Sequence, residues 1–196
     1  MIEQFSEKIV NNMVEYNCIK AADKGNYMYG LVCLLEYCIS VFVMLAIGIL
    51  TGKFFSTLIF LIFFIEIKKR CGGLHANTYL RCLLGTCAIY SMFTLWLAGF
   101  MLEHIQWTLM SVFASFVLLE LVGAVKHPAV GWTEQEYRTS ILASRLVVAL
   151  EAVVIHILYF LDVNKEMIVY MAFALCLNAV LLILSKIKED IKNEKE

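Results

Sequence analysis

The sequence predicts an all-α polytopic integral membrane protein, a helical bundle of six transmembrane helices preceded by an amphipathic helix. Three observations predict it. Of 196 residues, 61% are apolar and 17% charged, against roughly 45–50% apolar in an ordinary soluble domain. Mean hydropathy is +0.78. The apolar residues gather in six runs, with lysine and arginine concentrated on alternate connections. A single proline and a net charge of −1 exclude a collagen, a charged disordered chain and a nucleic-acid binder with its basic field. Seven cysteines, an odd number, several of them inside apolar runs, read as small buried hydrophobes and not as a disulfide framework.

In chain order, Ile2, Phe5, Ile9, Met13 and Tyr16 recur at helical spacing within the first 24 residues. This reads as an amphipathic helix, lying on the inner membrane surface or capping that side of the bundle. The stretch is mixed in charge and has no short apolar core before a small-residue cleavage site, so it does not read as a signal peptide. The apolar runs are Leu31–Leu50, Phe54–Ile67, Leu83–Leu102, Ile105–Val125, Leu146–Leu161 and Met167–Ser185. About 20 helical residues cross a hydrocarbon core of about 30 Å. The first, third, fourth and sixth runs reach that length. The second and fifth are short, so either they are shallow or their ends continue through polar residues that face protein or water. The tail 186–196 mixes charges and is expected to fray. The whole reads as one membrane-embedded domain, 1–196, with the bundle over 31–185.

Orientation follows from the basic residues. Fourteen of the sixteen lysines and arginines lie in the N-terminal segment, the connections after the second and fourth spans, and the C-terminal tail. The other side keeps only Lys53 and Lys165. The expectation is a bacterial cytoplasmic membrane protein with both termini in the cytoplasm and short external connections.

The chemistry-bearing stretch is Lys68-Lys69-Arg70-Cys71-Gly72-Gly73-Leu74-His75-Ala76-Asn77-Thr78-Tyr79-Leu80-Arg81-Cys82. A cysteine attacks a carbonyl as thiolate, and a nearby histidine can take its proton. On one continuous helix His75 and Cys82 would share a face about 10.5 Å apart along the axis. That is too far for a hydrogen bond of about 3 Å. A catalytic pair therefore needs the helix to break near His75 or to begin after it. Gly72 and Gly73 permit such a break, as they would permit a plain interfacial turn.

Arg70-Cys71-Gly72-Gly73-Leu74-His75-Ala76-Asn77-Thr78 followed by Cys82 resembles the Arg-x-Gly-Gly-x-His-Ala-x-Thr…Cys motif of the AgrB (accessory gene regulator B) family of membrane cysteine endopeptidases in bacterial quorum sensing. Supporting matches are Tyr29-Gly30, Gly52-Lys53 and His127-Pro128. The resemblance implies a substrate, a short AgrD-like precursor peptide cleaved near its C-terminus. It places the catalytic pair on His75 and Cys82. The product would be a thiolactone or lactone macrocycle, formed when an internal cysteine or serine of the precursor attacks the thioester. Two departures stand out. Cys71 occupies a position where the family commonly has another residue, and is a rival thiol. The connection after His127-Pro128 lacks the Lys-Pro expected there.

Lys68, Lys69, Arg70 and Arg81 form a basic cluster. Orientation alone explains it, or it also binds the acidic tail expected of such precursors, with Arg70 offering a bidentate fork to carboxylate. Glu36, Glu66, Glu120 and Glu151 lie in or at the ends of spans, where ionisable groups usually face partners. Glu66 is spaced to pair with Arg70. Glu36 makes a structural hydrogen bond or lines the substrate cavity. Asn77 and Thr78 orient His75 or cap the third span. His104 and His156 read as structural, and His127 as a loop residue in preference to a second base. No metal-ligand spacing or phosphate loop is present, so no cofactor is expected. The expected partners are the precursor peptide, the lipid bilayer and a second copy of the chain, and no nucleic acid. The rival reading is a non-enzymatic transporter or peptide-export scaffold working through its intramembrane glutamates.

Overall fold

The computed structural model describes residues 2–71, 79–123 and 134–193, and all of its regular elements are helical. They are α1 (Ile2–Glu15), a 3-10 turn (Ala21–Asp23), α2 (Lys24–Leu50), α3 (Phe54–Cys71), α4 (Tyr79–Met92), a π-helical turn (Phe93–Leu97), α5 (Ala98–Glu103), α6 (Ile105–Val122), α7 (Glu134–Phe160) and α8 (Lys165–Asn193). Two compact units divide the chain, Met1–Ala46 and Ile47–Glu196.

The first unit holds α1 and most of α2. α1 has the amphipathic spacing read from the sequence. It ends in a Schellman closure, in which Asn17 adopts a left-handed φ of 55°. The Cys18 amide donates to the Met13 carbonyl and the Asn17 amide to that of Val14. Asparagine tolerates this conformation better than most side chains, so the sequence marks the stop. α2 closes the same way on Gly52, φ 69°, with Lys53 N–H bonded to Gly48 O.

In the second unit α8 packs against α3, α5, α6 and α7. Its residues Ile168–Leu175 are all buried, so α8 is the hub of this unit's core. The start of α3 meets the end of α2 closely. A Cβ on Gly48 would lie 2.2 Å from Thr57 Oγ1, and only glycine fits there. Thr57 Oγ1 in turn shares a hydrogen bond of 2.6 Å with the Tyr90 hydroxyl. The π-helical turn interrupts the long apolar helix made by α4 and α5. Its first residue, Phe93, stacks face to face on Phe173 at 3.7 Å and edge-on to Tyr170 at 4.8 Å.

Five segments are long and apolar enough to cross a membrane: Ala21–Leu50, Leu83–Glu103, Ile105–Val122, Tyr137–Phe160 and Lys165–Ile187. They correspond to five of the six apolar runs. The second run, in α3, is the exception. Only its first 12 residues are free of charge before Glu66, Lys68, Lys69 and Arg70, about 18 Å of helix. The fifth run differs the other way. α7 begins at Glu134, well before Leu146, because the added turns place polar groups on protein partners. Ser140 Oγ donates to the Arg70 carbonyl at 3.2 Å, and Arg145 donates to the Glu120 carbonyl at 3.1 Å. α8 also continues through the charged tail to Asn193, where fraying was expected from Lys186 onward.

Candidate functional site

The C-terminal end of α3 carries the basic cluster, Lys68, Lys69 and Arg70 in its last turn. Lys68 Nζ sits 5.2 Å from the centre of the Phe64 ring, a cation–π contact. Arg70 meets Glu66 at 3.5 Å, one helical turn back, as its spacing predicts. Arg70 is also fixed through its backbone by Ser140 of α7. Glu36 lies half-buried in α2, within the first unit. Arg81 and Cys82 fall in the first turn of α4. Gly72, Gly73, His75, Asn77 and Thr78 lie outside the described residues, as does His127-Pro128. The described part of α3 runs to Cys71 and that of α4 from Tyr79.

Cys71, the rival thiol, is 2% exposed. It packs in the apolar core with Ile67, Leu119, Val148 and Leu175. It lies beyond the apolar run of α3, and its thiol is pushed up to about 11, chiefly by burial, despite the opposing effect of Ser144. A thiol so protonated at neutral pH is a poor nucleophile.

Around Cys71 the structure gathers polar groups that the motif alone does not point to. Ser144 of α7, whose Oγ donates to the Ile141 carbonyl at 2.8 Å, lies beside the thiol, and Glu120 and Glu151 act on it electrostatically. Glu120 is held by Arg145, Oε2 to Nε 3.7 Å. Glu151 is 5% exposed and its Oε2 has no hydrogen-bond partner. The sequence flags Glu120 and Glu151 as costly intramembrane acids. It carries a further signal in the placement of Ser140 and Ser144 on the Glu151 face of α7.

A different polar set closes the opposite end of the second unit. Glu166 in the first turn of α8 accepts from Lys53 Nζ and Ser56 Oγ, both at 2.8 Å. Mid-core, Asn178 donates to the carbonyls of Phe64 and Ala174 at 3.1 and 3.0 Å. His156 bonds the Ala152 carbonyl of its own helix at 2.7 Å, a structural arrangement.

Comparison with known proteins gives one match. The family model described as AgrB, Accessory gene regulator B, matches residues 6–185, the motif included. No curated protein and no solved structure matches.

Proposed function

We propose that this protein is a membrane cysteine endopeptidase that cuts and cyclises a signalling peptide, on the premise that the chain belongs to the accessory gene regulator B family. Family membership supports a role in the peptide-processing step of agr quorum sensing, and the apolar helices support a membrane setting. The finer reading is as follows. Cys82 Sγ attacks the scissile carbonyl of an AgrD-like precursor, and His75 takes the thiol proton. The C–N bond breaks, His75 returns the proton to the leaving amine, and the acidic C-terminal part departs. The N-terminal part stays on Cys82 as a thioester. An internal cysteine or serine of the precursor then attacks that carbonyl, the ring closes and the Cys82 thiol is released. Thioester exchange is nearly isoenergetic whereas hydrolysis is strongly downhill, so the site must exclude water while it holds the acyl peptide.

The other roles follow. Arg70, Lys68, Lys69 and Arg81 hold the acidic part of the precursor, and Glu36 lines the substrate path. Gly72 and Gly73 supply the bend, and Asn77 and Thr78 orient His75. Both termini face the cytoplasm, the chain acts as one domain, and it works as a homodimer in the bacterial cytoplasmic membrane. The single observation that carries the reading is the ordered motif from Arg70 to Cys82 inside the family match. One structural fact supports it. The rival thiol, Cys71, is buried.

The test is co-expression with the small precursor peptide, sought in the open reading frames adjacent to this chain's gene, followed by intact peptide mass. The wild type should yield a shortened peptide lighter by one water than its linear form, and Cys82→Ala should yield none. A shortened peptide without loss of water would mean hydrolysis alone. Equal cleavage by both proteins would remove Cys82 as nucleophile. No cleavage by either would favour the transporter or scaffold reading.

A further inference from the structure

Six buried side-chain atoms among the described residues have no hydrogen-bond partner. Three are hydroxyls, on Ser6, Thr94 and Tyr170. The three on arginine and glutamate side chains, Arg70 Nε, Glu120 Oε1 and Glu151 Oε2, fall on α7 and on the two helices packed against it, α3 and α6. Glu151 is the deepest. It lies two turns beyond Ser144, about 10 Å along α7. Ser140, Ser144, Val148 and Glu151 recur at steps of four, four and three and so share one face of that helix. The uppermost serine of this face, Ser140, donates to the Arg70 carbonyl of α3, and Ser144 donates to the Ile141 carbonyl of its own helix beside the Cys71 thiol. A polar strip therefore descends from the end of α3 into the core and finishes on a carboxyl with an unused oxygen. The charges are also uneven. Glu66 pairs with Arg70 and Glu120 with Arg145, while Glu151 has no cationic partner among the described residues.

A carboxyl kept in an apolar core without a partner is costly, and a hydrocarbon side chain there would be cheaper. Such a group calls for an explanation beyond packing. We propose that Glu151 is a binding group for the peptide substrate, its free oxygen accepting an N–H donor that the bound peptide carries into the strip. This rests on the peptide-processing reading. The donor belongs to a basic side chain or to a main-chain amide of the peptide. The unpartnered Arg70 Nε, higher on the same strip, offers a matching donor to a peptide carbonyl.

The test uses binding, so that it does not depend on cleavage. The probe is the same precursor peptide, fluorescently labelled and titrated into detergent-solubilised Cys82→Ala protein. Thermal melting is followed in parallel. Adding Glu151→Gln should weaken Kd about tenfold with melting unchanged. Glu151→Leu should weaken it at least as much with melting unchanged or raised. Unaltered Kd in both variants would overturn the proposal, and so would loss of folding in both, since the acid would then be structural. Replacing each lysine and arginine of the probe by norleucine separates the two donors. A single replacement that weakens binding to the parent but not to Glu151→Gln identifies a side chain, and the absence of any such replacement identifies a main-chain amide. Probe binding by the wild type without cleavage would sink the peptidase reading and leave this one standing. No binding to the Cys82→Ala protein would overturn the proposal.

Discussion

The second unit has two polar ends, and they are built on opposite rules. At one, Glu166 is answered fully, with Lys53 and Ser56 each donating to a different carboxylate oxygen at 2.8 Å. At the other, Glu151, Glu120 and Arg70 each keep a buried polar atom without a partner. Both ends belong to the same core and both carry an acid. The satisfied end ties the loop after α2 to the start of α8 and has the hallmarks of a clasp. The unsatisfied end adjoins the motif that resembles a catalytic sequence. The difference teaches that intramembrane charge alone does not locate a site. What separates Glu166 from Glu151 is whether the protein itself completes the hydrogen bonds of the acid.

The comparison can be broken by mutation. The largest effect belongs to the motif. Cys82→Ala and His75→Ala should each lower cleavage by about a thousandfold or more, measured by peptide mass in purified membranes, with melting temperature unchanged. Loss of folding in both variants would mean the motif is scaffold. Next is Phe93→Ala, beside the clasp end, which removes a ring stacked on Phe173 and edge-on to Tyr170. Stability in detergent should fall by about 3 kcal/mol, while precursor turnover by the protein that remains folded is retained. A turnover defect without a stability defect would show that the clasp end takes part in function. Glu166→Gln should cost only about 1 kcal/mol, because the pair is partly exposed, with no change in KM for the precursor. The smallest effect is at Cys71. With its thiol pushed up to about 11 by burial, it should resist iodoacetamide in the folded protein at pH 8. Cys71→Ala should keep cleavage within about twofold. Rapid alkylation of Cys71 would contradict its place in the core.

The helices were largely legible in the sequence, because lipid and core both select long apolar runs. α6 starts at the residue where its run starts, and so does α3. The sequence reads α7 short because Ser140 and Arg145 look like loop residues until α3 and α6 supply their partners. The π-helical turn at Phe93 left no periodicity to find, since it accompanies packing on Phe173. α8 and α2 are nearly equal in hydropathy, 2.6 and 2.4. Nothing in their sequences alone marks α8 as the buried hub of its unit. At the site, the pairing of Glu66 with Arg70 followed from spacing. The Ser140–Ser144–Glu151 strip was written in helical period on α7, but its meaning appears only with Cys71 against it.

The most direct measurement is the covalent state of Cys82 during turnover. Wild-type protein and its precursor are mixed, quenched in acid within one turnover, digested and mapped by mass. The account predicts the N-terminal part of the precursor joined, with loss of one water, to the fragment that carries Cys82. The adduct should be released by hydroxylamine and absent in His75→Ala. The same mass on the Cys71 fragment, or cleavage with no adduct on any cysteine, would contradict it.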